Sequence, residues 1–115
     1  MIGLGVLLAG MLSAAPKVPE EHAKNAAKGL ALFKSDVRVM LKQHCVKCHG
    51  GEKTRSEFNL TTREGLLEGG KKGLVIVPGK ARESRLYKFV AHLEKPHMPA
   101  KEPRLTEDAI AKIAQ

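Results

Sequence analysis

A chain of 115 residues with 43% hydrophobic residues and a formal charge of +8 suffices for one domain but not for a large, self-sufficient core. Its basic residues are scattered in ones and twos (Lys24, Lys28, Lys34, Arg38 and Lys42, then Lys71, Lys72, Arg82, Arg85 and Lys88), with no basic block and no interleaved aromatics to stack bases, which argues against nucleic acid as a partner. The charge favours an acidic partner instead, and with Phe33, Phe58, Phe89 and Tyr87 as the only large aromatics a cofactor or metal is expected to help fill the middle.

The opening, MIGLGVLLAGMLSAAPKVPE, is apolar from Met1 to about Leu12, too short for a settled membrane-spanning helix. It matches the apolar region of an export signal followed by the small residues Ser13, Ala14 and Ala15. Residues 1–15 are therefore expected to be an export signal, with a retained membrane tether as the alternative, and residues 16–32 a linker or peripheral helix. A helix is plausible from Glu21 to about Phe33, interrupted at Gly29. Ser35 is a candidate cap for the next helix, along which Val37, Met40, Leu41 and His44 recur at helical spacing before Cys45. Met40 reads as a core filler.

Gly50 and Gly51 release that helix into a polar loop. Thr61 and Glu64 fit a reciprocal capping box for a short helix bearing Leu66 and Leu67, which Gly69 and Gly70 terminate. The run GLVIVPGK is extended or looped, turning at Pro78-Gly79. Ser84, or a residue just before it, starts a helix that buries Leu86, Phe89, Val90 and Leu93 and also carries His92. Pro96 and Pro99 force EKPHMPAKEP out of regular structure. Thr106 caps a last helix, with Ile110 and Ile113 one turn apart. These elements predict a mainly α frame with long loops, underfilled unless a flat apolar group occupies its centre.

The chemistry is concentrated in LKQHCVKCHG, residues 41–50, which holds both cysteines and two of the five histidines. Cys45, Cys48 and His49 form C-x-x-C-H, the attachment signature of a c-type haem. Two thiols three residues apart add to the two vinyl edges of the porphyrin, and the adjacent imidazole reaches the iron. Two other readings compete. Cys45 and Cys48 with His92 and His97 make a zinc set, but the gap between the pairs is far longer than in a compact zinc finger and His49 goes unused. A C-x-x-C redox pair is expected after a strand and at a helix start, whereas here a helix runs into it.

The remaining axial position on a haem iron decides between electron transfer and ligand chemistry. Met98 is the leading candidate, lying between Pro96 and Pro99 where no helix forms and where a methionine has no apolar face to fill. His97 is its rival and His92 a lesser one. A haem enzyme or ligand sensor with a labile sixth site is the functional alternative to electron transfer.

Three stretches, VRVMLKQHCVKCHG, NLTTREGLLEGGKKGLVIVPGKARESRLYKFV and HMPAKEPRLTEDAIAKIA, resemble the planctomycete-type cytochrome c domain, a haem-binding module of large exported bacterial proteins. The resemblance runs from about Phe33 to Gln115. It implies a small cytochrome c-like helical domain wrapped around one covalent haem c, held by Cys45 and Cys48, with His49 as proximal and Met98 as distal ligand. It also implies that Pro99 shapes the ligand loop and that the Gly69 to Pro78 region passes along a haem edge. Family domains usually continue the last helix into a Trp-Ile pair and a Gly-Ala stop, so residues 33–115 are expected to be a haem domain that is either truncated at its C-terminal end or left without the usual apolar cover on its last helix. The expected function is electron transfer rather than enzymic catalysis, in the periplasm or outside the cell. The expected partners are an acidic redox protein or other domains of a larger exported protein.

Overall fold

From Pro19 to the first cysteine the chain has one glycine and no further proline, and it stays helical throughout: α1 (Glu20–Leu32), a π-helical turn (Phe33–Val37) and α2 (Arg38–His44) follow one another without a break. The computed structural model describes Gly10 and residues 19–115, so the expected export signal lies, Gly10 apart, outside the described residues. Gly29 does not interrupt α1, since a single interior glycine costs a helix only about 1 kcal/mol. Nor does Ser35 cap α2. Its hydroxyl donates back to the Leu32 carbonyl at 3.4 Å, and the backbone continues through a wider π turn rather than starting anew. No residue of α1 is buried.

The helical run breaks at Cys45, where φ reaches −120°, and resumes as a single turn, α3 (Val46–His49). Gly50 leaves it in an extended conformation and is buried. A Cβ there would collide with the Thr61 methyl and crowd Val46, so the chain can cross itself here only at a glycine. A two-residue strand (Lys53–Thr54) and a 3-10 turn (Arg55–Glu57) lead to α4 (Arg63–Glu68).

The cap of α4 is Thr62, not Thr61: the Thr62 hydroxyl oxygen accepts from the Gly65 N–H at 3.0 Å. Thr61 is already engaged, donating its N–H and its hydroxyl to Asn59 Oδ1 at 3.0 and 2.6 Å. An asparagine two residues earlier thus pre-empts Thr61 and moves the helix start by one. Gly69 ends α4 at φ 85°, as expected for a glycine stop.

Residues 74–80 form no regular element. A 3-10 turn (Ala81–Glu83) precedes α5 (Arg85–Val90). Ser84 sits at the start of α5 but does not cap it with its side chain. It is buried, and its hydroxyl oxygen accepts from the Val77 N–H at 2.9 Å and donates to the Lys80 carbonyl at 3.0 Å, pinning the preceding loop to the helix start. Because α5 stops at Val90, Leu93 is not on its buried side and is 69% exposed. His92 likewise lies beyond the helix, at φ 59°. The residues around the two prolines are irregular, and α6 (Glu107–Ala114) begins where Thr106 Oγ1 accepts from the Ala109 N–H at 3.2 Å, a cap of the kind that contributes about 1 kcal/mol.

Helices therefore dominate; among the described residues the extended structure is limited to Lys53–Thr54 with Gly50 beside it and the isolated bridges His49–Thr54 and Gly70–Gly73. The apolar interior is divided in two. Val90, Ala91, Leu105 and Ile110 form one cluster, with Tyr87, Met98, Ala109 and Ile113 packed on it. Leu41, Phe58 and Leu60 form the other, with Val37, Cys45, Val46, Leu66 and Val75 around them. Among the described residues no side chain falls below 2% exposure, the underfilled core that the small apolar residues predict. Cys45 belongs to one half and Met98 to the other.

Candidate functional site: the C-x-x-C-H turn and its facing loop

The break at Cys45 sets the geometry of the site. Its carbonyl accepts from the Cys48 N–H at 3.2 Å and from the His49 N–H at 3.0 Å, so one short turn places both thiols and the imidazole together. Residues three apart on such a turn are neighbours on one face. Both cysteines are free and partly buried. Burial, with Glu102 and Cys48 nearby, pushes the Cys45 thiol up to about 11. It is thus a neutral thiol at physiological pH, unlike the acidic nucleophilic thiol of a C-x-x-C redox pair.

His49 is held by the loop that follows it. Its Nδ1 lies 3.0 Å from the Arg55 carbonyl oxygen. A carbonyl only accepts, so Nδ1 is a donor here, and in the neutral ring this tautomer leaves the Nε2 lone pair available, the arrangement in which a histidine ligates a metal. The ring packs 5.4 Å from Phe58, tilted by 59°, and the Leu60 N–H donates to the His49 carbonyl at 2.8 Å. Sequence reading did not single out the Arg55 carbonyl, because a main-chain acceptor has no residue-type signature. The loop expected along a haem edge lies close by: Val75 packs on the cluster that holds Cys45, and the Lys71 N–H donates to the Ser56 carbonyl at 2.7 Å.

The three sixth-ligand candidates occupy different surroundings. Contrary to the expectation that it has no apolar face to fill, Met98 is half-buried against Val90, Ala91, Leu105 and Ile110, because the loop folds back on α5 and α6; its N–H donates to the Phe89 carbonyl at 3.1 Å, and Pro99 beside it is buried. His97 is exposed, and its ring stacks on that of His92 at 4.3 Å and 6°. His92 Nε2 lies 3.3 Å from the Met98 carbonyl. The zinc alternative is not assembled: among the described residues no group of three or more His, Cys, Asp or Glu is placed to hold a metal ion.

Glu102 joins the loop after Met98 to the attachment turn. Its Oε1 accepts from Lys47 Nζ at 2.8 Å and its Oε2 lies 3.7 Å from His44 Nδ1. The Lys47 hydrogen bond, with lesser help from His44, holds the Glu102 carboxyl below its ordinary range, and the same bond raises Lys47. Nothing in its type or spacing marked Glu102 beforehand. A cavity of about 250 Å³ opens beside it, lined by Met40, His44, Leu105, Thr106 and Ala109. Met40 lines this cavity instead of joining either apolar cluster, contrary to the core-filling expectation.

The donor set fits a haem c. Two free, partly buried thiols adjoin an imidazole anchored through its Nδ1, a thioether lies in the other half, and the apolar interior is split between them. Soft sulfur and imidazole donors suit haem iron. Cys45, Cys48 and His49 would hold the group.

Among the described residues no helix is long and apolar enough to cross a membrane. No curated protein and no solved structure matches the chain. Residues 45–102 match the family model described as Planctomycete cytochrome C. The matched span is just over half of the chain, opens on Cys45 and contains Cys48, His49 and Met98. Cytochrome c proteins are typically electron carriers rather than catalytic enzymes, and this family is associated with exported, periplasmic domains. With its C-x-x-C-H turn on a mainly α-helical frame, the chain belongs to the planctomycete cytochrome c family.

Proposed function

We propose that the chain is an exported electron-transfer protein carrying one haem c, bonded through Cys45 and Cys48, with His49 and Met98 as the axial ligands. The observation that carries this reading is the Nδ1 contact of His49 with the Arg55 carbonyl at 3.0 Å, which fixes the tautomer and aims a basic Nε2 away from its anchor. Bound haem would supply the one-electron couple of its iron. The residues of the chain supply placement and surroundings. Phe58 packs against the proximal imidazole, and the partly buried thiols anchor a group that cannot then be lost outside the cell. Met98 is favoured over His97 because it is half-buried on an apolar cluster, whereas His97 is exposed and engaged in a stack with His92. An imidazole would have to leave that stack to reach the interior.

Visible spectra of the exported protein in both oxidation states test this proposal. The expected result is c-type bands that survive acid-acetone extraction and a low-spin iron in both states. A high-spin ferrous form that takes up carbon monoxide without delay would favour the haem enzyme or ligand sensor instead.

The partner in this reading is an acidic redox protein, or another domain of a larger exported protein. A formal charge of +8 spread over the chain speeds encounter with an acidic surface by electrostatic steering, and salt screens that attraction over about 10 Å at 0.1 M. Stopped-flow electron transfer to an acidic redox protein is expected to slow by roughly tenfold or more between low and high salt. A rate indifferent to salt counts against an acidic partner.

A further inference from the structure

Two halves of an interior that do not merge need something to set them in register. Among the described residues, the hydrogen bonds and ion pairs that join residues 20–60 to residues 95–115 are those of Glu102 with Lys47 and His44, and that of Lys112 with Asp36. The Lys112 pair, 3.0 Å long, fastens α6 to the π turn, on the far side of α2 from the cysteines in sequence. Glu102 acts at the site itself. It lies four residues beyond Met98, and its carboxylate is shared between the last residue of α2, His44, and Lys47, one of the two residues between the cysteines.

The loop that carries Met98 is anchored at both ends to α5 and the residue after it. The Met98 N–H donates to the Phe89 carbonyl, and Arg104 Nη2 reaches the Ala91 carbonyl at 3.4 Å. Those two anchors fix where the loop leaves and rejoins its own half. They do nothing to hold its middle against the other half, and Lys101 at φ 61° shows the chain turning sharply there. Among the described residues, Glu102 alone makes a hydrogen bond or ion pair across the gap from the middle of the loop. Its Oε2 is buried without a hydrogen-bond partner, with His44 Nδ1 3.7 Å away, so the carboxylate is drawn inward and not merely lying on the surface.

We infer that Glu102 is a positioning residue: its carboxylate, gripping Lys47 and His44, clasps the middle of the Met98 loop to the attachment turn and thereby keeps the thioether over the position opposite His49. This inference rests on the proposed sulfur ligation for its consequence at iron, but the clasp itself rests on the ion pairs alone. The clasp is selective for opposite charges at positions 47 and 102, and reversing both preserves it.

The experiment compares the haem-loaded wild type with E102Q, with the charge reversal K47E/E102K and with M98A. It measures hydrogen exchange of peptides spanning the Met98 loop and α6, the rate of cyanide binding to the ferric form, and the ferric sulfur-to-iron charge-transfer band. E102Q is expected to speed exchange in the loop by about three- to tenfold, as for a partly exposed charge-assisted pair, with α6 unchanged. Cyanide should bind faster by a similar factor and the band should weaken. The charge reversal is expected to return all three towards wild type. Equal loosening of loop and α6, an E102Q protein like wild type, or a charge reversal no better than E102Q each overturns the clasp. M98A separates the two ideas: if it leaves the band and the cyanide rate unchanged, sulfur ligation is wrong, and loop exchange in E102Q and K47E/E102K alone decides the clasp.

Discussion

Replacing Met98 by alanine is expected to abolish the ferric sulfur-to-iron charge-transfer band and open the iron to cyanide and carbon monoxide. The midpoint potential should fall, because a thioether is a soft, neutral donor that favours ferrous iron over ferric. The same change removes a half-buried side chain from the Val90, Ala91, Leu105 and Ile110 cluster, so a stability loss of about 2 kcal/mol, the low end for a buried methionine, should accompany it. His97→Ala serves as the contrast. Its ring is exposed and stacked on His92, so its loss should leave the band and the low-spin state in place. Optical titration of both variants with cyanide decides the matter: an iron opened by His97→Ala and left closed by Met98→Ala would replace the methionine with a bis-histidine site.

Loss of the attachment thiols should have the largest effect on folding. With no described side chain below 2% exposure and the apolar residues divided between two clusters, a porphyrin between the halves would bury surface that the side chains alone leave poorly covered. A group bound to the folded state only stabilises it by linkage, roughly 4 kcal/mol at a thousandfold excess over its dissociation constant. Either Cys45→Ser or Cys48→Ser should therefore lower haem retention and the thermal midpoint. The double variant should lose at least that linkage contribution, roughly 4 kcal/mol, and yield a poorly folded apoprotein by circular dichroism and thermal melting. A cooperative double variant, as stable without haem as the wild type is with it, would show that the two clusters suffice by themselves.

Elements that depend on neighbours in the chain were legible and those that depend on competition were not. Thr106 caps α6 as expected because nothing nearby contests its hydroxyl. Thr61 yields the capping role to Thr62 because Asn59 takes both of its hydrogen-bonding groups. Ser35 fails as a cap for a related reason, its hydroxyl returning to Leu32 while the backbone runs on. The helix after Ser84 begins where its sequence places it but is shorter than its apolar spacing implies. Its chain turns at His92, at φ 59°, so Leu93 is left exposed and His92 falls outside it.

The C-x-x-C-H signature is legible in the chain because thiols at positions 45 and 48 and an imidazole at 49 depend on a spacing that one helical turn enforces locally. The helical class is legible too, through apolar periodicity and caps, as is the irregular loop around Met98, through two prolines. Which groups hold those residues in place is a matter of how the chain folds back on itself. The Arg55 carbonyl orients His49, and main-chain oxygens leave no mark in composition. Glu102 reaches Lys47 and His44 across more than fifty residues of chain, and a carboxylate in a proline-flanked loop reads like any other until the fold closes the loop onto the attachment turn. The division of the interior into two halves, with Cys45 in one and Met98 in the other, is likewise a property of packing. Apolar residues state what will be buried, and only the paths of the connecting loops decide against what.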